Sequence, residues 1–451
     1  MGVEIAVAGA GHVGLVSAAG LSAVGHRVRV YDVDVGRIEG LTRGETPFFE
    51  PGLTELLARV RDDKSISYHA DAAEAIRPAD VILLCVNTPN TTEGQVDLSA
   101  LVKATQTVAG CAREGVLIVN RSTAPVGTAA YIRSIVEKAG KVAAAVAVNP
   151  EFLSEGTALR DFLSPDRIVI GASSEADIGM LLEAYRPIVM RKLPQDLPES
   201  IIEWAEQGPE RVPVVVTYPS TAELIKYAAN AFLAMKISFI NEMAWIAEEL
   251  GADVSQVAEG VGLDHRIGTH FLRAGIGWGG SCFPKDIVAL QGMAETRGLA
   301  ARMIKAANDV NMEQHRWVAK KLQRHLRTLV GRTVGLLGLT FKPGTDDMRN
   351  APAVEIALDL ARQHVHVRAF DPAIRALPPE LASIIELADS PLALAESAEA
   401  LVLITEWPMF GSLDLLQLRA VMREPLLLDG RNFLDPEKAR AAGFVYVGVG
   451  R

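Results

Sequence analysis

The chain has 451 residues, of which 49% are hydrophobic and 22% are charged, and its formal net charge is -10. This composition excludes intrinsic disorder and provides enough apolar residues for two or three cores. The acidic balance, without any run of Lys or Arg, argues against nucleic-acid binding. The three scattered cysteines form no CxxC pair, and no apolar run reaches the roughly 18 residues of a membrane span. We expect a cytoplasmic protein without a metal site.

A glycine-rich turn near the N-terminus is the first candidate site. Apolar runs over 3–8 and 28–31 predict two strands, and the Gly-x-Gly-x-x-Gly sequence at 9–14 predicts a turn into a helix between them. This β-α-β pattern is typical of dinucleotide sites, where a pyrophosphate approaches the helix N-terminus. Asp32, after the second strand, would bind the adenosine ribose and repel a 2′-phosphate, which favours NAD. Arg37 would contact the adenine or the ribose.

Polar residues follow successive predicted strands in the first half of the chain. These further strands cover 81–86, 116–120, 143–148 and 167–170, with helical patterns between them. The alternation predicts a doubly wound parallel sheet, in which the carboxyl ends of the strands share one ligand-binding edge. Thr123 and Glu151 would face the nicotinamide there. Glu155 would share a helical face with Glu151 if the chain is helical from Phe152.

A linker and a long helix are predicted in the middle of the chain. Residues 191–219 contain several prolines and acids, with a short helical pattern over 201–206, and we interpret them as a linker or surface excursion. Unbroken helical periodicity over 221–251 then predicts one long helix. Lys226 and Asn230 lie one turn apart on it in mostly apolar surroundings. Such surroundings would lower the pKa of a buried lysine, although lysines at helix edges more often extend to solvent.

The stretch 277–286 combines glycines with a thiol, a cation and a carboxylate. Cys282 could act as a nucleophile, with Lys285 favouring the thiolate and Asp286 holding or relaying a proton. Alternatively, Cys282 is a small buried apolar residue in a glycine-rich turn. Taken alone, the stretch leaves both interpretations open.

A second α/β unit without a glycine fingerprint follows a helix predicted over 300–327. Its predicted strands cover 331–339, 365–370, 400–404 and 426–428, with a helix over 353–364. Two α/β units on either side of a long helix predict a bilobal enzyme. The C-terminal lobe would bind a second nucleotide-like ligand, with Lys342 and Arg431 as cations for its pyrophosphate. Isolated basic residues of this kind are, however, more often solvated.

Six motifs in order make the chain resemble the UDP-glucose/GDP-mannose dehydrogenase family over essentially its whole length. They lie at 9–14, 121–127, 149–153, 223–227, 277–286 and 341–347. The resemblance implies a three-domain chain that forms a homodimer or larger homo-oligomer through the long helix. It implies oxidation of C6 of a nucleotide sugar from alcohol to carboxylate with two NAD, in polysaccharide or glycoside biosynthesis. UDP-glucose is the favoured substrate, and TDP-glucose, GDP-mannose and UDP-N-acetyl sugars remain open.

The resemblance also implies domain boundaries and site residues. The segments are an NAD-binding domain at 1–195, the linker at 196–219, a central dimerisation domain at 220–328 and a sugar-nucleotide domain at 329–451. The implied catalytic residues are Cys282 as nucleophile, Lys226 and Asn230 for oxyanions, Thr123 and Asp286 for water and protons, and Glu151 for thioester hydrolysis. The implied cofactor-binding residues are Gly9, Gly11, His12, Val13, Gly14, Asp32, Arg37, Thr88, Pro89, Ser122, Thr123, Glu155, Lys285 and Arg349. The implied substrate-binding residues are Glu151, Phe152, Leu153, Glu155, Lys226, Asn230, Phe271, Leu272, Gly275, Gly279, Lys342, Arg431 and, from a neighbouring subunit, Arg266.

Three features depart from the family pattern. His12 stands where a tyrosine is usual, Ala124 replaces a usual valine, and the excursion at 193–219 is longer than expected. The first of these could change packing near the pyrophosphate.

Two other classes of function remain alternatives. Four-electron oxidation of one carbon needs two hydride transfers, and a thiol can hold the intermediate aldehyde as a thiohemiacetal and then as a thioester. A hydroxyacid-type dehydrogenase would use a lysine and an asparagine without a cysteine, and would yield one NADH per substrate instead of two. In a catalytically silent NAD-binding redox sensor, Cys282 would be oxidised instead of acylated. This alternative leaves Lys226 without a role.

Overall fold

The computed structural model describes residues 2–91, 94–140, 145–194, 197–198, 201, 203 and 210–451. The chain divides into two compact units, Met1–Ala228 and Ala229–Arg451. Each unit contains one sheet covered by helices. The predicted architecture of two Rossmann-like sheets and a long helix is confirmed, whereas the predicted boundaries of the four segments stay predictions.

The first unit contains an eight-stranded sheet. Its strands are β1 (Glu4–Ala8), β2 (Arg27–Tyr31), β3 (Ile66–His69), β4 (Val81–Leu84), β5 (Leu117–Asn120), β6 (Ala145–Val148), β7 (Ile168–Gly171) and β8 (Val214–Thr217). Their order is β3-β2-β1-β4-β5-β6-β7-β8, and all neighbours are parallel except β6 and β7. The helices that cover this sheet are His12–Ala23, Val35–Arg43, Leu53–Asp62, Ala72–Ile76, Ser99–Cys111, Thr128–Lys138, Ala158–Leu163 and Glu175–Val189.

The inner strands of this sheet are buried on both faces. Val7, Leu83 and Val119 belong to one apolar cluster, while their chain neighbours, such as Ile82 and Ile118, belong to another. Successive side chains of a strand point to opposite faces, so a strand covered by helices on both sides reads as a continuous apolar run. This burial explains why these strands were recognisable in the sequence.

Part of the segment interpreted as a linker belongs to the first sheet. Strand β8 lies inside 196–219 and pairs with β7 in parallel. Its sequence, Val-Val-Val-Thr, is β-branched throughout and therefore suits an edge strand. The linker interpretation is wrong for these four residues, and most of the helical pattern predicted over 201–206 lies outside the described residues.

The second unit contains a six-stranded parallel sheet. Its strands are β9 (Thr333–Leu337), β10 (His366–Phe370), β11 (Ile385–Leu387), β12 (Ala400–Leu403), β13 (Leu426–Asp429) and β14 (Val445–Gly448), in the order β11-β10-β9-β12-β13-β14. The remaining helices among the described residues are Pro219–Leu250, Val254–Gly262, Phe283–Glu295, Arg302–His315, Trp317–Leu326, Pro352–Arg362, Pro379–Ala382, Pro391–Ala395, Leu415–Val421 and Pro436–Ala441, with a 3₁₀ turn at Pro408–Ser412.

The single helix predicted over 300–327 is two helices. One residue, Arg316, separates the helix Arg302–His315 from the helix Trp317–Leu326. At the junction, the N–H of Arg316 donates to the carbonyl of Glu313, three residues back, at 3.1 Å. This tighter bond breaks the helical ladder without any glycine or proline to signal it.

The two sheets share the geometry of their first turn. Gly9 and Gly338 follow β1 and β9 with φ of 111° and 100°, and the N–H of each donates to the last residue of the next strand at 2.8 Å. Asp32 then accepts a hydrogen bond from Ala10, as Asp371 does from Leu339. The C-terminal sheet therefore repeats the dinucleotide-type turn without its Gly-x-Gly-x-x-Gly sequence.

Candidate active site

The glycines of the N-terminal loop have different local functions. A Cβ on Gly14 would overlap the carbonyl oxygen of Gly9, and one on Gly9 would overlap the carbonyl oxygen of Cys85. A Cβ on Gly11 would meet no atom within 4 Å. Gly11 precedes the helix His12–Ala23, whose N-terminus has no side-chain cap. The loop is thus tightly packed on one side and open at Gly11, as a bound pyrophosphate requires.

Asp32 fixes this loop from the end of β2. Its Oδ2 accepts from the N–H of Ala10 at 2.6 Å, and its Oδ1 accepts from that of Asp34 at 2.9 Å. Arg37 Nη1 lies 3.3 Å from Asp32 Oδ2 and Arg37 Nη2 lies 3.7 Å from Asp34 Oδ2. The structure therefore brings the predicted ribose acceptor and Arg37 together beside the glycine loop.

His12 contacts a residue that the sequence did not single out. Its Nε2 lies 2.9 Å from Oε2 of Glu50, whose side chain is fully buried. Glu50 also accepts hydrogen bonds from the N–H groups of Gly156 and Ala158. The only sequence signal was an acid between an aromatic pair and a proline, in Phe-Phe-Glu-Pro.

Hydroxyl groups connect the segments that follow β4 and β5. Thr88 Oγ1 donates to the carbonyl of Thr123 at 2.6 Å. Ser122 Oγ accepts from the N–H of Val86 at 3.0 Å. These bonds place the segments containing Thr88, Pro89, Ser122 and Thr123 at one carboxyl edge of the sheet, as the strand order predicts.

Glu151 and Lys226 form a buried ion pair. Lys226 Nζ lies 2.9 Å from Glu151 Oε1, with 5% and 6% of the two side chains exposed. Burial disfavours the ionised form of Glu151, but Lys226, the N–H of Leu153 and Arg121 outweigh it and hold the pKa of Glu151 below its ordinary value of 4.5. Lys226 was expected in mostly apolar surroundings, yet its neighbour is a carboxylate. Phe152, whose ring lies under the guanidinium of Arg167 at 3.6 Å, flanks the pair.

The helical face proposed for Glu151 and Glu155 does not exist. Residues 151–154 are irregular and 155–157 form a turn before the helix Ala158–Leu163. The N–H of Leu153 bonds to Oε2 of its near neighbour Glu151 at 2.6 Å, and Gly156 has a φ of 82° outside the helical region. This local bond and the left-handed glycine prevent a helix from starting at Phe152.

In the second unit, Cys282 stands at the N-terminus of the helix Phe283–Glu295. Its carbonyl accepts from the N–H of Asp286 at 2.9 Å. The buried carboxylate of Asp286 binds Asn230 Nδ2 through Oδ2 and Lys285 Nζ through Oδ1, both at 2.6 Å. The predicted residues Asn230, Cys282, Lys285 and Asp286 therefore form one bonded group at the N-terminus of this helix.

Buried carboxamides hold the segment that precedes the cysteine. Asn241 accepts from the N–H of Gly275 at 2.8 Å, and Gln314 donates to the carbonyl of Gly275 at 2.6 Å. Asn311 accepts from the N–H of Trp278 at 2.7 Å and donates to its carbonyl at 3.0 Å. These side-chain amides bind the backbone N–H and carbonyl groups of the glycine-rich segment, as a neighbouring β-strand would. None of the three could be predicted from the sequence, because an amide inside a helix has no distinctive spacing.

Several predicted cations are engaged by protein groups. Arg431 donates to the carbonyls of Ile404 at 2.7 Å and Gly277 at 3.1 Å, so it braces the glycine-rich segment. Arg349 binds the carboxylate of Asp347 at 2.7 to 3.0 Å. Lys342 Nζ lies over the ring of Phe341 at 5.5 Å.

Arg266 is an exposed side chain that forms a bidentate pair with Asp264. The other predicted substrate residues of this unit differ in exposure. Phe271 is 43% exposed and has a left-handed φ of 63°, whereas Leu272 is buried. A Cβ on Gly279 would overlap the carbonyl oxygen of Asn350.

Neither a metal centre nor a membrane span is found in the described part of the chain. No three His, Cys, Asp or Glu side chains there are grouped as metal ligands. No helix among the described residues is long and apolar enough to cross a membrane.

Sequence comparison identifies three matching domains. Models of the UDP-glucose/GDP-mannose dehydrogenase family match residues 3–189 as the NAD binding domain, 220–313 as the central domain and 335–436 as the UDP binding domain.

Similar proteins match over the full length. The chain is 40% identical over 451 residues to the UDP-glucose 6-dehydrogenase TuaD of Bacillus subtilis, covering 99% of this chain and 93% of that protein. It is 40% identical over 461 residues to the UDP-glucose 6-dehydrogenase of Pseudomonas aeruginosa, covering 100% and 98%. Among solved structures, a UDP-glucose dehydrogenase from the archaeon Pyrobaculum islandicum matches with a TM-score of 0.89 and 38% identity, covering 100% of this chain and 98% of that one.

Proposed function

Because the chain belongs to the UDP-glucose/GDP-mannose dehydrogenase family, we propose that it oxidises C6 of UDP-glucose from the alcohol to the carboxylate of UDP-glucuronate. NAD, when bound, accepts the hydride in each of the two oxidations. The observation that carries the proposal is the bonded group of Asn230, Lys285 and Asp286 at the turn that presents Cys282. A hydroxyacid-type dehydrogenase has no need of this thiol.

The N-terminal loop fits the cofactor by its own geometry. Space at Gly11, an uncapped helix N-terminus and the carboxylate of Asp32 match the pyrophosphate and ribose of a dinucleotide. We propose that Thr88, Pro89, Ser122 and Thr123 border the nicotinamide, because they lie at the carboxyl edge of the same sheet.

In the proposed first oxidation, the C6 hydroxyl loses a proton and a hydride to give an aldehyde. Thr123 and Asp286 guide the proton through water. The thiolate of Cys282 then adds to the aldehyde carbon, and the C–S bond of a thiohemiacetal forms as the carbonyl oxygen becomes an alkoxide. Lys226 and Asn230 stabilise that oxyanion. Donors of this kind contribute about 3 kcal/mol each in other enzymes.

The second oxidation and the hydrolysis complete the proposed reaction. Loss of a hydride from the thiohemiacetal re-forms the carbonyl as a thioester. Water then attacks this carbonyl and the C–S bond breaks, so that the carboxylate product is released and the thiol of Cys282 is regenerated. We assign the role of base for this water to Glu151, whose lowered pKa means that it is ionised at neutral pH and can accept a proton.

The proposed substrate-binding residues of the second unit surround the nucleotide sugar. Phe271, Leu272, Gly275 and Gly279 would form the backbone walls, with Lys342 and Arg431 nearby. The bonds of Arg431 to backbone carbonyls support a bracing role in addition to charge. We further propose that Arg349 and Glu155 approach the cofactor, that Phe152 and Leu153 approach the sugar, and that Arg266 reaches the substrate of a neighbouring subunit.

A homodimer through the long helix is also proposed. Phe232, Phe239 and Ile246 recur at seven-residue spacing and are 57%, 46% and 47% exposed. A heptad-spaced apolar row on one helix face is the pattern by which helices associate. We also propose that the enzyme acts in the cytoplasm. Its product, UDP-glucuronate, would be used in polysaccharide or glycoside synthesis.

A panel of nucleotide sugars, followed by NADH formation, tests the reaction and its substrate together. We expect UDP-glucose to be preferred over TDP-glucose, GDP-mannose and UDP-N-acetyl sugars, with two NADH formed per sugar. One NADH per sugar would instead support the hydroxyacid-type alternative. Cys282→Ser should lose acid formation, and a variant that made acid at the parent rate would remove the role of Cys282. Cys111→Ser provides a matched control for loss of a thiol elsewhere.

A further inference from the structure

A buried carboxylate connects two parts of the cofactor domain. Glu50 Oε2 accepts from the N–H of Gly156 at 2.7 Å and lies 2.9 Å from His12 Nε2, while Oε1 accepts from the N–H of Ala158 at 2.8 Å. A carboxylate only accepts hydrogen bonds, so Nε2 of His12 carries the hydrogen. Phe48 packs against the His12 ring with a centroid distance of 4.8 Å and restricts its orientation.

The two ends of this connection belong to different parts of the site. His12 opens the helix that follows the glycine loop, so its side chain is attached to the backbone that would contact the pyrophosphate. Gly156 and Ala158 come directly after the segment 151–155, which contains Glu151 and Glu155. A shift of either end must therefore be accommodated by the other or break a bond to Glu50.

Helix capping alone does not explain these contacts. Thr157, at the N-cap of the helix Ala158–Leu163, makes no side-chain cap bond, and Glu50 supplies the acceptor for Ala158 instead. Capping accounts for the bonds to Gly156 and Ala158, but not for the one to His12. A buried carboxylate is tolerated only when it is well hydrogen-bonded, so the bond from His12 stabilises the buried side chain of Glu50 in addition to the two backbone bonds.

We propose that Glu50 is a positioning residue that couples the dinucleotide loop to the segment carrying Glu151, with His12 acting through it. When the cofactor orders the loop, the His12–Glu50 bond holds the turn at Gly156 and hence the placement of Glu151. Through this bond, His12 and Glu50 both set cofactor affinity and turnover. The proposal rests on the proposed function only for the catalytic role of Glu151.

Four single variants test it. His12→Phe removes the bond but keeps the aromatic contact with Phe48, whereas His12→Gln retains an N–H donor that can reach Glu50. Glu50→Gln replaces one acceptor by a donor, and exposed Glu55→Gln is the matched control. The dissociation constant for NADH is measured by fluorescence titration without sugar. The values of kcat and of KM for the nucleotide sugar and for NAD are then measured by steady-state kinetics.

The expected pattern separates coupling from general damage. His12→Phe weakens NADH binding about tenfold, the typical effect of losing a hydrogen bond to a charged group. It also lowers kcat, because the turn at Gly156 is no longer held through His12, and His12→Gln restores most of the affinity and of kcat. Glu50→Gln weakens NADH binding and also lowers kcat, while Glu55→Gln matches the parent. The double variant His12→Phe/Glu50→Gln binds NADH no more weakly than Glu50→Gln, because each change alone already removes the charge-assisted bond between His12 and Glu50.

Other outcomes overturn the proposal. If the two affinity losses multiply in the double variant, His12 does not act through Glu50. If His12→Phe binds NADH as the parent does, the bond does not set affinity; this comparison decides the matter even if Glu50→Gln fails to fold. Since NADH binding is measured without sugar, a parent that binds NADH but oxidises no nucleotide sugar contradicts the proposed function and leaves this inference standing.

Discussion

The ammonium nitrogen of Lys226 lies 2.9 Å from Oε1 of Glu151, and both side chains are almost fully buried. The pair joins the long helix to the segment that follows β6 within the first unit. Removing either partner would leave a buried charge uncompensated, which typically costs about 3 to 5 kcal/mol. The same proximity keeps Glu151 ionised and so available as a base.

The first prediction concerns the pH dependence of stability. The folded pKa of Glu151 lies below its ordinary value of 4.5, so the ion pair contributes fully above 4.5 and its contribution is lost as the pH falls toward the folded pKa. In Glu151→Gln, the free energy of unfolding should therefore decline less steeply than in the parent as the pH falls below 4.5. Denaturant titrations at a series of acidic pH values measure this slope.

Glu223→Gln is a control, because the pKa of Glu223 is shifted in the opposite direction to that of Glu151. Burial raises the pKa of Glu223 despite its bonds to the N–H groups of Gly127 and Ala129. The ionised Glu223 is thus disfavoured in the folded chain, and its contribution to stability falls as the pH rises above 4.5. In Glu223→Gln, the free energy of unfolding should therefore lack the gain that the parent shows as the pH falls from the folded pKa of Glu223 toward 4.5. Equal slopes in the parent and both variants would contradict these assignments.

The second prediction separates two glycines of the dinucleotide loop. Gly14→Ala places a methyl group on the carbonyl oxygen of Gly9 and should lower the free energy of unfolding by at least about 2 kcal/mol. Gly11→Ala meets open space and should leave stability within about 1 kcal/mol. Its methyl group would occupy the approach of the pyrophosphate, so NADH affinity should fall about tenfold or more. An unchanged NADH affinity in Gly11→Ala would place the cofactor elsewhere.

Comparison of sequence and structure shows what could be predicted. The glycine loop, Asp32 and the cysteine turn were recognisable, because each depends on a backbone conformation or strand end that few residues satisfy. Glu50 and Asn311 were not, because their partners lie over 30 residues away and their types are common in solvent-facing positions.

Two local structures, strand β8 and the irregular segment after Glu151, could not be predicted from the sequence for related reasons. Strand β8 has a β-branched sequence but follows prolines and acids that resembled a linker. The segment after Glu151 looked helical, yet a local bond to Leu153 and the φ of Gly156 override that pattern. Tertiary contacts and single backbone angles of this kind leave no periodic signal.

The third prediction tests the carboxamide support of the glycine-rich segment. Asn311→Asp removes the N–H that donates to the carbonyl of Trp278. The segment 275–279 should lose its fixed shape, and KM for UDP-glucose should rise about tenfold while NADH affinity stays unchanged. Steady-state kinetics with each substrate varied in turn measure both effects. Asn308→Asp, a half-buried position on the same helix, should match the parent; equal effects of the two substitutions would exclude a specific role for Asn311.

The fourth prediction concerns the apolar row on the long helix. Phe232→Glu combined with Phe239→Glu places two charges where association would bury them, and it should convert a dimer to a monomer in light-scattering measurements at micromolar concentration. Phe49→Glu is the control, because Phe49 is also 57% exposed but lies in the first unit. A dimer that persists in the double variant would show that the subunits associate through another surface.

The most direct test of the account is the mass of the protein during turnover. Glu151→Gln should slow hydrolysis, so that mixing with UDP-glucose and NAD followed by acid quench should show the nucleotide sugar bound covalently to the peptide containing Cys282. Cys282→Ala should show no such adduct. If two NADH are formed per sugar while Cys282 remains unmodified at every time point, the thioester mechanism is contradicted.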